Sequence, residues 1–198
     1  MIAEITDTFD SNHRRLNNLI SLYDSLRTAN QGRASTAHLE ILRASVVLTH
    51  STMEDFIRSL QLWKIPEIDS NKLSEIWLLD NPRKTKFTFQ EIYKHRNLRV
   101  ETLLKKSVSN FLGYQSYNKT DDVASAITSC GLEVTDNIKG LFPALGDLME
   151  RRHHIVHQAD KNTYVGSGHH RYKSLNLNTV KHWIYSVDKL AEYIIIQL

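Results

Sequence analysis

Two arginines and three histidines fall within the seven residues Arg151-Arg152-His153-His154-Ile155-Val156-His157, and Gln158, Ala159 and Asp160 follow directly. A guanidinium can stabilise the negative charge of a phosphorane and an imidazole can move protons, so the two together suit metal-free cleavage of a phosphodiester. The segment reads Arg-polar-x3-His, with Arg152, His153 and His157.

A metal site is the competing chemistry. On a helix His153 and His157 stand i, i+4 and His154 and His157 stand i, i+3, which places pairs of imidazoles on neighbouring surface positions. Glu150-x-x-His153 matches half of a di-iron carboxylate site, but the chain has no second Glu-x-x-His. The segment lacks the glutamate of His-Glu-x-x-His, and the charges of Arg151 and Arg152 oppose a cation. No metal and no cofactor is therefore expected. Glycine-rich phosphate loops and a serine nucleophile elbow are also absent from the sequence.

The elements that must position these groups read as helices. Apolar residues recur in steps of three and four at Ile2, Ile5, Phe9, Leu16, Leu19, Tyr23 and Leu26, with a polar interruption at Asn12. A second, longer stripe runs from Leu39 through Leu42, Val46, Met53, Phe56 and Leu60 to Trp63, and Pro66 ends it. Lys72 to Leu79 predicts a shorter helix. Thr88 to Glu91 has the form of a capping box, and a basic helical tract through Lys94, His95, Arg96, Arg99, Lys105 and Lys106 is expected to end near Gly113. A loop from Tyr114 to Lys119 leads to a helix ending at Cys130-Gly131. The motif helix is expected to begin near Leu141 with Pro143 in its first turn. After a loop over residues 161–174, a C-terminal helix spans about 176–198.

On the motif helix the apolar positions are Ile138, Leu141, Leu145, Leu148 and Ile155, so Arg152 occupies a place where an apolar residue belongs. A buried guanidinium needs a carboxylate, and Glu54 on the second helix is the candidate. Residues five apart on an ideal helix are separated by about 140°, so Arg152 and His157 of one chain face different ways. Either a distorted helix or a two-fold dimer would bring them together.

The chain has 198 residues, of which 41% are hydrophobic and 24% charged, with only seven glycines and three prolines. That composition fits one all-α domain over residues 1–198 and disfavours a turn-rich β-sandwich. The lone Cys130 can form no intramolecular disulfide, and neither a signal peptide nor a bilayer-spanning run is apparent, so no membrane association and a cytoplasmic location are expected. A formal charge of +3 permits contact with nucleic acid without requiring it. In the loop His169-His170-Arg171-Tyr172-Lys173, Tyr172 can stack on an unpaired base while His170, Arg171 and Lys173 meet phosphate; a solvated loop is the plain alternative.

The segment Arg152-His153-x3-His157, its Ile155-Val156-His157 core, the trailing Asp160 and a preceding apolar helix carrying Glu54 together resemble the Arg-x4-6-His signature of the HEPN superfamily, in particular its RiboL-PSP-HEPN-like branch. The resemblance covers about residues 35–160 and implies a HEPN-like bundle of about six to eight helices. It also implies a homodimer with a composite active site, acting as a metal-independent endoribonuclease. His157 would be general base on the ribose 2′-hydroxyl, Arg152 would stabilise the phosphorane, and His153 would position the phosphate or the arginine. Arg151, His154 and Glu54 would support them. RNA, a second copy of the chain and a protein antitoxin or defence-system partner are the implied partners, in a toxin–antitoxin or antiviral role. The alternative is a non-catalytic HEPN-like module that binds RNA, nucleotide or protein. One branch of the family carries a modifiable tyrosine two residues beyond the motif histidine; Ala159 stands there, so that control is not expected.

Overall fold

Long apolar stripes become long helices. The computed structural model describes residues 1–29, 36–68, 71–79, 81–82, 84–162 and 172–198. The first stripe forms α1 (Ile2–Ala29) and the second α2 (Thr36–Lys64). The expected interruption at Asn12 does not break α1, because its side chain stays on the surface and accepts a hydrogen bond of 3.0 Å from Arg15 one turn away. A short 3-10 helix (Asn71–Glu75), α3 (Phe89–Tyr93), α4 (Val100–Gly113), α5 (Thr120–Ser129), α6 (Asp136–Gln158) and α7 (Leu177–Ile195) follow. The described residues contain seven α-helices and no strand beyond an isolated bridge between Lys161 and Tyr172, so the fold is an all-α bundle. None of the described helices is long and apolar enough to cross a membrane.

Three expected boundaries move, each for a physical reason. The helix expected over Lys72 to Leu79 stops at Glu75, because Ile76, Trp77 and Leu78 are all buried and three consecutive residues cannot share one face of an α-helix. The basic tract divides into α3 and α4, since Lys94-His95-Arg96-Asn97-Leu98-Arg99 offers one aliphatic side chain to bury and Arg99 is extended. The motif helix starts at Asp136, five positions before Leu141. Its first turn is recruited by the buried Ile138 and by Thr135, whose side chain accepts from the Ile138 amide. Pro143 then lies inside α6, where both it and Lys139, whose carbonyl loses its usual donor, are exposed. Replacing Thr135 by alanine is expected to cost about 1 kcal/mol by urea denaturation, the ordinary worth of a lost N-cap.

The core sits around α2, which packs against α1, α4, α5, α6 and α7. Leu16, Met53, Leu60, Ile127, Leu148 and Leu190 are among its fully buried side chains. A second, smaller cluster joins Ile65 at the end of α2 to Ile76, Trp77, Val108, Phe111 and Leu112. The short α3 contributes no buried residue and is held by polar contacts instead. Thr88 and Glu91 form the expected capping box, and Glu91 also accepts from Asn81 and from Lys84 at 2.8 Å. The hydrogen bond from Lys84, with that from the Thr88 amide, lowers the Glu91 carboxyl to a pKa of about 2, so this latch persists until pH falls into that range.

Candidate functional site

The end of α6 is fixed by one carboxylate. Ala159 and Asp160 both adopt positive φ, at 49° and 54°, and Asp160 turns back into the protein with 1% of its surface exposed. Its Oδ2 accepts from Arg43 Nε at 2.7 Å and from Arg151 Nη2 at 2.8 Å. Both guanidiniums also donate to the Lys173 carbonyl, while the Lys173 amide donates to the Asp160 carbonyl at 2.9 Å. Arg43 lies over the Tyr172 ring, 5.2 Å from its centroid. The supporting residue Arg151, together with Tyr172 and the backbone of Lys173, is thereby built into a clasp that closes the chain after α6. His170 and Arg171 lie outside the described residues.

The expected pair between Arg152 and Glu54 does not form. Glu54 is taken by Arg58 at 2.8 Å, one turn along α2, where an i, i+4 pair requires little rearrangement. It also lies 3.7 Å from His50 Nδ1. Arg152 makes one long hydrogen bond, 3.5 Å to Asn118 Oδ1, and its buried Nε has no partner. Among the described residues no carboxylate pairs with it. The buried arginine on α2 is Arg43, which lies outside the Arg-x4-His segment.

Behind Arg152 stands a neutral, buried polar layer. His50 is fully buried and its Nε2 lies 3.2 Å from the Tyr117 carbonyl, to which it donates, so Nδ1 is left without a hydrogen bond. Burial, and then the charge of Arg152, pull the His50 pKa below its ordinary value, against smaller opposing effects of Glu54 and the Tyr117 carbonyl. Tyr117 donates to Gln61, which donates to Ser129 Oγ at 2.9 Å, and burial pushes the Tyr117 hydroxyl up to about 12. Arg58 lies over the Tyr117 ring and donates to the carbonyls of Leu112 and Gln115. The loop between α4 and α5 is thus fastened to α2, and it presents Asn118 to Arg152.

A depressed imidazole pKa means that the unfolded chain takes up a proton before the native state does. The stability that neutral His50 contributes is complete above its unfolded pKa near 6.5 and is lost as pH falls from there toward the lower native value. The melting temperature of the wild type should therefore fall more steeply below pH 6.5 than that of His50→Gln, measured side by side in the same buffers.

The three motif histidines lie side by side on α6 but differ in exposure and partners. His153 and His157 are exposed, with ring centroids 4.7 Å apart and an interplanar angle of 46°. The His154 ring meets His153 edge-on, with centroids 6.2 Å apart; its Nδ1 is 2.8 Å from Gln158 Oε1 and its Nε2 3.4 Å from Glu150, beside a cavity lined in part by Asp147 and Trp183. Among the described residues no three His, Cys, Asp or Glu side chains stand together as metal ligands would. The helix runs without a break from Arg152 to His157, so the angular separation of those two side chains persists within one chain. No hydrogen bond or ion pair among the described residues engages the His157 side chain.

The site therefore offers a partly buried, uncompensated guanidinium at its base and an exposed imidazole pair at its rim. Sequence reasoning missed His50, Asn118 and Arg43. The signal for Arg43 was the same as for Arg152, a charge amid an apolar stripe next to Leu42, and His50 stands i, i+4 from Glu54. Asn118 lies in a loop whose placement no periodicity encodes. Against known proteins, the family model described as RiboL-PSP-HEPN matches residues 10–198, a span that includes every residue of this site. No curated protein and no solved structure matches the chain.

Proposed function

The chain belongs to the RiboL-PSP-HEPN family, and from that premise we propose that it is a metal-independent endoribonuclease that cleaves RNA by attack of the ribose 2′-hydroxyl. The observation that carries this reading is the charge state of the arginines. Arg43, Arg58 and Arg151 each pair with a carboxylate, whereas Arg152 has none among the described residues. A partly desolvated cation without a counter-ion favours an anion, and a phosphodiester supplies one.

In the proposed reaction His157 removes the 2′-hydroxyl proton as that oxygen attacks phosphorus, and Arg152 stabilises the charge that builds on the non-bridging oxygens. The bond from phosphorus to the 5′-oxygen breaks, and that oxygen takes a proton from water or from an imidazolium. The products are a 2′,3′-cyclic phosphate and a 5′-hydroxyl. His153, whose ring lies beside that of His157, positions the phosphate, and Tyr172 and Lys173, with His170 and Arg171 before them in sequence, contact the RNA. Because Arg152 and His157 of one chain face apart, the catalytic unit is a two-fold homodimer in which one chain contributes the guanidinium and its partner the imidazole. A cytoplasmic toxin–antitoxin or antiviral effector, held in check by a protein partner, is the biological role this activity suits.

The same angular separation favours a second reading for a chain that stays monomeric, a module that binds RNA, nucleotide or protein without cutting. Incubating the purified protein with total RNA in EDTA, mapping new ends and measuring its mass in solution decides between them. Cyclic-phosphate ends produced by a dimer are the expected result. A monomer that binds RNA and leaves it intact would establish the binding module instead.

A further inference from the structure

A second feature lies apart from the arginine and histidine site, within the smaller apolar cluster. The 3-10 helix, the buried run Ile76-Trp77-Leu78, the extended stretch before α3, α3 itself and α4 enclose a cavity of about 330 Å³. Leu73, Trp77, Phe87, Ile92 and Leu104 are among its walls, and among the described residues no charged side chain lines it. One wall is fixed: Trp77 donates to Asn110 at 2.8 Å and meets Phe111 and Tyr114 edge-on. Phe87 and Ile92, on the stretch tied down through the Glu91 latch, and Val100 at the start of α4 complete the lining and remain exposed.

Among the described residues the single polar side chain lining this cavity is Ser107, which is 5% exposed and whose hydroxyl has no hydrogen-bond partner among them. That is unusual within this chain. Other buried helical hydroxyls donate back to the carbonyl one turn earlier, Ser45 to Ile41, Thr52 to Leu48 and Ser186 to His182. An unpaired buried hydroxyl is disfavoured unless something else completes it. Small-molecule sites have this composition, largely apolar with very few polar groups that fix orientation.

We propose that this cavity binds a neutral, largely apolar small molecule whose one hydrogen-bonding group pairs with the Ser107 hydroxyl. A charged ligand is disfavoured because no described side chain lining the cavity carries a charge to compensate it. A ligand seated here would touch the exposed wall from Phe87 to Val100 and order α3 against α4. The cavity shares no residue with the Arg152 site, so its failure would leave the RNA reading untouched.

The test titrates the full chain with N-phenyl-1-naphthylamine, a neutral secondary amine that carries a naphthyl and a phenyl group and one N–H, and follows its fluorescence. Saturation at one probe per chain is expected. Leu104→Trp, which fills the cavity, should abolish it, with circular dichroism confirming the helical fold. Ser107→Ala should weaken binding about two- to tenfold, the loss of one hydrogen bond, while raising the melting temperature of the free protein because an unsatisfied hydroxyl has been removed. A purely structural serine would not separate those two readouts in opposite directions. Absence of saturation overturns the proposal, as does binding indifferent to both substitutions. So does a probe signal that vanishes as the chain dimerises, which would assign the cavity to a second copy.

Discussion

Asp160→Ala is expected to destabilise the protein by about 3–5 kcal/mol in urea denaturation, because it leaves two guanidiniums in the interior without their shared carboxylate. Arg43 keeps Glu40 as a neighbour at 3.0 Å, so the larger part of the penalty falls on Arg151, which has no other carboxylate among the described residues. Burial already draws the Arg151 pKa down, and the charge of Asp160 opposes that effect. The backbone separates two contributions. At φ 54° an alanine is strained, whereas asparagine tolerates the left-handed region, so Asp160→Asn removes charge while keeping the turn. Asp160→Asn should fall between the wild type and Asp160→Ala. The apolar replacement Arg151→Met should cost less than either, since it leaves Arg43 and Asp160 as a matched pair. A loss under about 1 kcal/mol for Asp160→Ala would mean that the clasp is satisfied by water and carries no weight.

That clasp marks a boundary of what the sequence made legible. The stripes on α1, α2, α6 and α7 were readable because each helix buries one face, and helical period encodes which residues share a face. Arg152 was readable as an anomaly for the same reason. Its partner was not. Glu54 was assigned to it on helix position alone, and the nearer Arg58, one turn along the same helix, captured the carboxylate instead. The burial of Asp160 beneath Arg43 and Arg151 depends on two consecutive non-glycine residues at positive φ, a local conformation that no periodicity announces. The same holds for the loop that delivers Tyr117 and Asn118: its fastening to Arg58 and His50 uses backbone carbonyls, which every sequence has. The division of the basic tract follows from how little it can bury, which the residue types themselves encode.

The unbroken helix from Arg152 to His157 gives the proposed chemistry its sharpest test. His157→Ala is expected to lower RNA cleavage about 10²–10⁴-fold, the usual worth of a general base, with little effect on stability because the side chain is exposed and unbonded. Arg152→Ala should lose activity as well, and its structural effect should be small, since it breaks one 3.5 Å hydrogen bond and no ion pair. If each active site takes its arginine from one chain and its histidine from the other, the two inactive variants complement each other. Mixing them in equal amounts with subunit exchange makes about half the dimers mixed, and each mixed dimer has one of its two sites intact, so about a quarter of wild-type cleavage should return. A site contained within one chain predicts no recovery at all, because every chain in the mixture then lacks one of the two groups. Recovery therefore assigns the histidine to the partner across the two-fold axis, and its absence, with both variants folded and dimeric, would place Arg152 and His157 in the same chain and require α6 to bend when RNA binds.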